Sequence, residues 1–144
     1  MVERAKLKVF DDSLRRCNAR EDFLDLFYDT FLTSSPKVRE KFAKTDFVHQ
    51  KRALRASLHM MLLAAENEGS GAERYLKDLA RQHSKETLDI GAELYDLWLD
   101  SLIKTAQECD PRFSPEIEAA WEEVMMIGVR YMLAHYHDHP QRNS

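Results

Sequence analysis

Long apolar runs and secretory features are scarce in this sequence. The longest strongly apolar run, Met60 to Ala65, is far shorter than the roughly 20 residues that a membrane-spanning helix needs, so we expect no membrane anchor. Residues 1–16 carry charge throughout and resemble no secretory leader. The two cysteines, Cys17 and Cys109, stand apart and form no CxxC motif. These absences favour a protein of the reducing cytoplasm.

Turn-forming residues and excess positive charge are scarce as well. Four glycines and four prolines among 144 residues are few for a turn-rich β fold. The formal net charge of -4 gives no broad positive field, so a surface that binds nucleic acid is not expected. Basic residues do gather between Arg39 and Arg55, but Glu40 and Asp46 lie among them. We interpret this stretch as a solvated face without a partner.

What the sequence does have is a helical spacing of apolar residues. At 44% hydrophobic and 32% charged residues, the chain can bury one core of ordinary size. Apolar residues recur every three or four positions, and no segment alternates as a strand does. The sequence predicts a single all-α domain over residues 1–144 with seven or eight helices, and residues 1–5 and 137–144 are expected to be frayed.

Capping residues and apolar rows predict the helices of the first half. A short first helix is expected around residues 7–14, ending near 17–18, and an aromatic stripe predicts a second helix over 20–32. Ser35 before Pro36 predicts the start of a third helix that runs to about residue 42. Thr45 and Asp46 predict the start of a fourth, which closes near residue 66.

The second half follows the same logic. Residues 67–71 are expected to be flexible, and a helix then leads to His83. A longer helix opens near Ile90 and stops at Asp110 before a proline. Ser114 predicts the start of the last helix, which should reach about residue 136. Trp98 on the longer helix is interpreted as a core residue.

Three polar residues fall on inward helix faces: Tyr28, Gln50 and His83. Each has an ordinary structural explanation, because a buried tyrosine, glutamine or histidine often does no more than satisfy its hydrogen bonds within a core. Taken one at a time, they indicate no site.

Their order and spacing, however, resemble those of the globin family. Pro36 is similar to the proline that opens the short third helix of globins, and Phe42, six residues later, is similar to the phenylalanine that stacks on the haem. Tyr28, fourteen residues before Phe42, is similar to the distal tyrosine of bacterial and invertebrate members. Gln50 resembles the distal polar residue, and Leu54 the apolar residue one turn later.

The resemblance extends over roughly residues 5–136 and implies a globin fold around a haem pocket. His83 resembles the proximal histidine, which implies that it binds the iron of haem b. Leu79, Ile90 and Leu94 are implied as apolar haem contacts.

The distal register stays open at this point. Only eight residues lead from Phe42 to Gln50, and a slip of one position would bring His49 into the pocket instead. A distal histidine could hold a ligand or bind the iron itself.

The resemblance implies reversible binding of O₂, and also of CO and NO, at a haem flanked by a tyrosine and a glutamine. One alternative is a gas sensor that signals to a separate partner, because the site also resembles the globin domain of globin-coupled sensors. Another is an NO dioxygenase that depends on a separate reductase. We expect a binding protein ahead of an enzyme, and a homodimer through the last two helices is a further hypothesis.

Overall fold

The computed structural model describes residues 2–66, 72–83 and 90–134, except for the side chains of residues 72, 73, 75, 82 and 83. The flexible stretch predicted at 67–71 and the frayed tail at 137–144 lie outside these residues. Across the described part the chain forms seven helices and no strand, which confirms the all-α prediction. The helices are α1 (Arg4–Asn18), α2 (Phe23–Ser34), α3 (Pro36–Lys41), α4 (Phe47–Glu66), α5 (Ala72–His83), α6 (Ala92–Cys109) and α7 (Pro115–Ala134).

Three helices begin where a capping side chain predicts them. The hydroxyl of Ser35 accepts a hydrogen bond of 3.2 Å from the backbone N–H two residues later, at the start of α3. The carboxylate of Asp46 accepts two such bonds, of 3.1 and 3.4 Å, at the start of α4. Ser114 accepts one of 3.3 Å at the start of α7. Each cap satisfies backbone donors that the first helical turn leaves unpaired.

The starts of α2 and α6 differ from the prediction. Helix α2 begins at Phe23 rather than near residue 20, and Arg20 and Asp22 form a local ion pair of 2.9 Å in the preceding turn. Helix α6 begins at Ala92 rather than near Ile90, with Gly91 in an extended conformation before it. Neither start has a capping side-chain hydrogen bond, although the residue before α2, Asp22, is of a type that often caps helices.

The first helix is also longer than predicted. Helix α1 has 15 residues from Arg4 to Asn18. It starts within residues 2–5, which we expected to be frayed, and the side chain of Val2 is buried. Phe10 of α1 packs edge-on against Trp121 of α7, with ring centroids 4.8 Å apart. This contact fixes α1 against α7 in the core.

A buried carboxylate joins α1 to the corner between α6 and α7. Asp110 accepts hydrogen bonds from the Ser13 hydroxyl at 2.6 Å and from the Arg16 guanidinium at 2.6 and 3.0 Å. The Trp121 indole N–H in turn donates to Ser13 at 2.9 Å. Although burial opposes it, these bonds hold the pKa of Asp110 below its ordinary value.

Helices α4 and α7 approach closely at Gly128. A Cβ at this position would lie 3.0 Å from the Sδ and Cε atoms of Met61, so the crossing leaves no room for a larger residue without movement of Met61. Phe27 of α2 packs edge-on against Trp98 of α6 at 6.4 Å. Met61 and Trp98, one residue from each of these contacts, also line an interior cavity. None of the described helices has the length and apolar character needed to cross a membrane.

Candidate functional site

A cavity of about 330 Å³ lies between the helices, and each helix from α2 to α7 contributes at least one side chain to its lining. Its size falls within the range of pockets that hold small molecules, roughly 300–1,000 Å³. Seven of the residues that the sequence predicted as cofactor contacts line it together, although they come from distant parts of the chain. They are Tyr28, Phe42, Gln50, Leu54, Leu79, Ile90 and Leu94.

Tyr28 is the most deeply placed polar group of this set. Its side chain is 4% exposed on the inner face of α2 and forms a hydrogen bond with the side chain of Gln50 on α4. Burial raises the pKa of Tyr28 to about 12, and the bond with Gln50 opposes that rise only in part. The phenol therefore stays protonated at neutral pH and can act as a hydrogen-bond donor.

Aromatic rings surround Tyr28. The ring of Phe27 lies 4.9 Å from it, that of Phe47 5.3 Å and that of Phe42 6.1 Å, all edge-on between centroids. Phe42 directly follows α3 and caps its end, which places this ring at the cavity wall. The phenol is thus held by packing on its ring as well as by the hydrogen bond on its hydroxyl.

The start of α4 sets the distal register. Gln50 is half-buried and reaches Tyr28, whereas the neighbouring His49 is exposed and lies at the rim of the cavity. Lys51, which follows Gln50, forms an ion pair with Asp25 of α2. This arrangement brings Gln50, rather than His49, into contact with Tyr28; the role of either residue toward a ligand stays a prediction.

His83 is the last residue of α5, and its side chain lies outside the described part of the structure. Leu79, one helical turn earlier, lines the cavity. Among the described residues, no group of three or more histidine, cysteine or carboxylate side chains is arranged to hold a metal ion. The assignment of His83 as an iron ligand therefore stays a prediction.

The cavity also has lining residues that the sequence analysis missed. Tyr95 and Trp98 of α6 line it, as do Met61 of α4 and Met132 of α7. Trp98 was interpreted as a core residue only, yet it stands four positions after Leu94, so the helical row itself carried the signal. No pattern within the sequence of α7 indicated that Met132 lines the cavity, because its position there depends on how α7 crosses α4.

The lining suits a largely apolar group that also carries polar substituents. Aromatic and aliphatic side chains form most of the wall, and the polar side chains of Lys41, Thr45 and His49 also line the cavity. The porphyrin of haem is an apolar macrocycle with two carboxylates on one edge. The chemistry of the lining therefore fits haem.

The helices enclose a largely apolar cavity, and the Tyr28 phenol and the Gln50 amide are in contact within it. Such a fold is typical of a protein that holds a cofactor or ligand in its interior. The chain belongs to the globin family, whose model matches residues 25–130. This confirms the resemblance and the predicted globin fold, and it supports a haem-binding globin.

A solved structure agrees with this assignment. The chain is 38% identical to a Pseudomonas aeruginosa PAO1 protein described as structurally highly homologous to a human hemoglobin. The match covers 92% of this chain and 99% of that chain with a TM-score of 0.86. No curated protein matches the chain.

Proposed function

We propose that this globin binds haem b in the described cavity through His83 and uses it to bind O₂ reversibly, and also CO and NO. The observation that carries the proposal is the convergence of seven predicted contact residues on one cavity of suitable size. Leu79 supports the assignment of His83, because positions four apart share one face of a helix and Leu79 lines the cavity.

When bound, haem would supply an iron centre that accepts a diatomic gas, and His83 would hold that iron. The protein contributes the surroundings of the iron. Phe42 and the leucines would exclude water and hold the macrocycle, and Tyr28 and Gln50 would supply hydrogen bonds for a ligand that carries partial negative charge. A neutral hydrogen bond contributes about 0.5–1.5 kcal/mol, so the two donors together would slow oxygen release by roughly ten- to hundredfold.

Haem uptake tests the proposal directly. Purified protein titrated with haemin is expected to develop a Soret band with a one-to-one end point, and His83→Ala is expected to lose or shift that band. His59→Ala is the matched control, because His59 is exposed on α4 and does not line the cavity. A wild-type protein without a Soret band, or a His83→Ala spectrum identical to that of wild type, would contradict the proposal.

The further predictions from the family resemblance have their own tests. A partner recovered in only one ligation state would favour gas sensing. NO consumption that depends on an added reductase would favour NO oxidation. The homodimer through α6 and α7 predicts a doubled mass in solution.

A cytoplasmic location is supported by Cys17 and Cys109, which are both free thiols.

A further inference from the structure

We infer that Phe47 is a positioning residue that aims the Tyr28 hydroxyl at the ligand, and so sets how slowly the gas is released. From the sequence alone, Phe47 is interpreted as a packing residue. The inference rests on the proposed gas-binding function and adds a residue that lies outside the cavity itself, since Phe47 is not among its lining residues.

Phe47 is the first residue of α4, directly after the capping Asp46. Gln50 stands three residues later, so both side chains project from the same face. Both reach the same tyrosine: Gln50 by a hydrogen bond with the Tyr28 hydroxyl, and Phe47 by the edge of its ring, at 5.3 Å.

The rings of Tyr28, Phe42 and Phe47 pack against one another in a closed arrangement. Tyr28, Phe42 and Phe47 form a triangle with centroid separations of 5.3, 6.1 and 6.2 Å. Phe47 stacks on Phe42 with 28° between the ring planes and meets Tyr28 edge-on at 67°. Phe27 contacts the tyrosine ring as well, at 4.9 Å. Removal of Phe47 opens one side of this packing, and the Tyr28 ring gains room to tilt.

A tilt of the Tyr28 ring would weaken any hydrogen bond that its hydroxyl donates to a ligand. A hydrogen bond weakens steeply as its geometry departs from alignment, so a tyrosine that samples several orientations donates less effectively than one held in place. Because Phe47 does not line the cavity, its effect on a bound gas must pass through a residue that does. Phe47 contacts the rings of two lining residues, Phe42 and Tyr28, and of these two only Tyr28 carries a hydroxyl that can bond to a ligand.

The experiment compares Phe47→Leu with wild type in haem-loaded protein. We expect O₂ dissociation to accelerate roughly two- to tenfold, the range that loss of one neutral hydrogen bond allows. CO dissociation is expected to change less, because bound CO carries less negative charge. Phe47→Tyr, which keeps the ring, should release O₂ at close to the wild-type rate. Phe113→Leu is the control, because Phe113 packs against the core away from the cavity.

Phe47→Leu in a Tyr28→Phe background shows whether the effect of Phe47 on O₂ release depends on the Tyr28 hydroxyl or on a general loosening of the packing. That background keeps the ring and lacks the hydroxyl, so Phe47→Leu should then add no acceleration. An equal acceleration in both backgrounds, or none in either, overturns the inference.

A second measurement needs no haem. In protein labelled with ¹³C at the tyrosine rings, the Tyr28 resonance is identified by its loss in Tyr28→Phe. It is expected to shift in Phe47→Leu and to stay unchanged in Phe113→Leu. An unshifted resonance overturns the inference, whereas absence of haem uptake by the wild-type protein overturns only the proposed function.

Discussion

Tyr28 and Gln50 form a hydrogen-bonded pair in which Gln50 holds the Tyr28 hydroxyl in place. The pKa of Tyr28, raised to about 12 by burial, keeps the phenol protonated across the physiological range. Gln50 contacts its hydroxyl from α4, and an amide can donate to that oxygen while the phenol O–H points elsewhere. The phenol is therefore expected to be the stronger donor toward a ligand, and the glutamine its support.

Removal of each donor has a distinct expected result. Tyr28→Phe deletes the hydroxyl and keeps the ring, so O₂ dissociation should accelerate about two- to tenfold. Gln50→Leu should accelerate it less, since Tyr28 is retained. Stopped-flow displacement of O₂ by CO measures both rates, with His49→Ala as a control at the cavity rim. If neither Tyr28→Phe nor Gln50→Leu releases O₂ faster, both donors are misassigned; a faster His49→Ala would instead favour the slipped register.

Sequence alone could place Tyr28 but not the whole site. Tyr28 belongs to an inward-facing row on one helix, and such a row is readable from the spacing of apolar residues. The contact between Tyr28 and Phe47 joins two helices, and its existence depends on how α4 crosses α2. No periodicity within one segment carries that information.

At the scale of helices, starts with a capping side chain were predictable from the sequence, whereas starts without one were not. Asp46 and Ser114 mark their helices with a side chain that binds the first-turn N–H groups, and the sequence predicted both starts. Helix α6 has only Gly91 before it, and its predicted start was wrong by two residues. Helix ends are predictable where the stabilising group is local in sequence.

Asp110 is expected to be the strongest single link between α1 and the corner that joins α6 to α7. Asp110→Ala leaves the Ser13 hydroxyl and the Arg16 guanidinium without their shared partner. Because Arg16 is 26% exposed at its side chain, water recovers part of the loss, and we expect a decrease of about 2–3 kcal/mol in the free energy of unfolding. Urea denaturation measures it, with Glu108→Ala as an exposed control in the last turn of α6.

The pH dependence of that link has a defined sign. The folded-state pKa of Asp110 lies below its ordinary value, so its contribution is complete above about pH 4, the pKa of an unfolded aspartate, and disappears as the pH falls through the lower folded value. The stability difference between wild type and Asp110→Ala should therefore be constant near neutrality and narrow below about pH 4. A difference that widens on acidification would show that Asp110 is not stabilised as a carboxylate.

At the scale of the whole molecule, the fold was more predictable than the shape of its interior. The order of helices and the residues on their inward faces follow from local spacing, and the globin family assignment agrees with them. The cavity also depends on side chains such as Met132 and on the close approach at Gly128, both of which are set by the crossing of α4 and α7. Long-range packing of this kind leaves no local pattern.

Because the proposed haem site lies within the folded interior, haem uptake should be linked to global stability. A ligand that binds only the folded state stabilises it by about 2.7 kcal/mol at a hundredfold excess over its dissociation constant. For a chain of this size that corresponds to a rise in the unfolding midpoint of roughly 5–10 °C. Circular dichroism at 222 nm with and without haemin measures the rise, which should largely vanish in His83→Ala and persist in His59→Ala. An equal rise in all three proteins would show that haemin stabilises the chain without the axial ligand, and would place its binding outside the cavity or independent of His83.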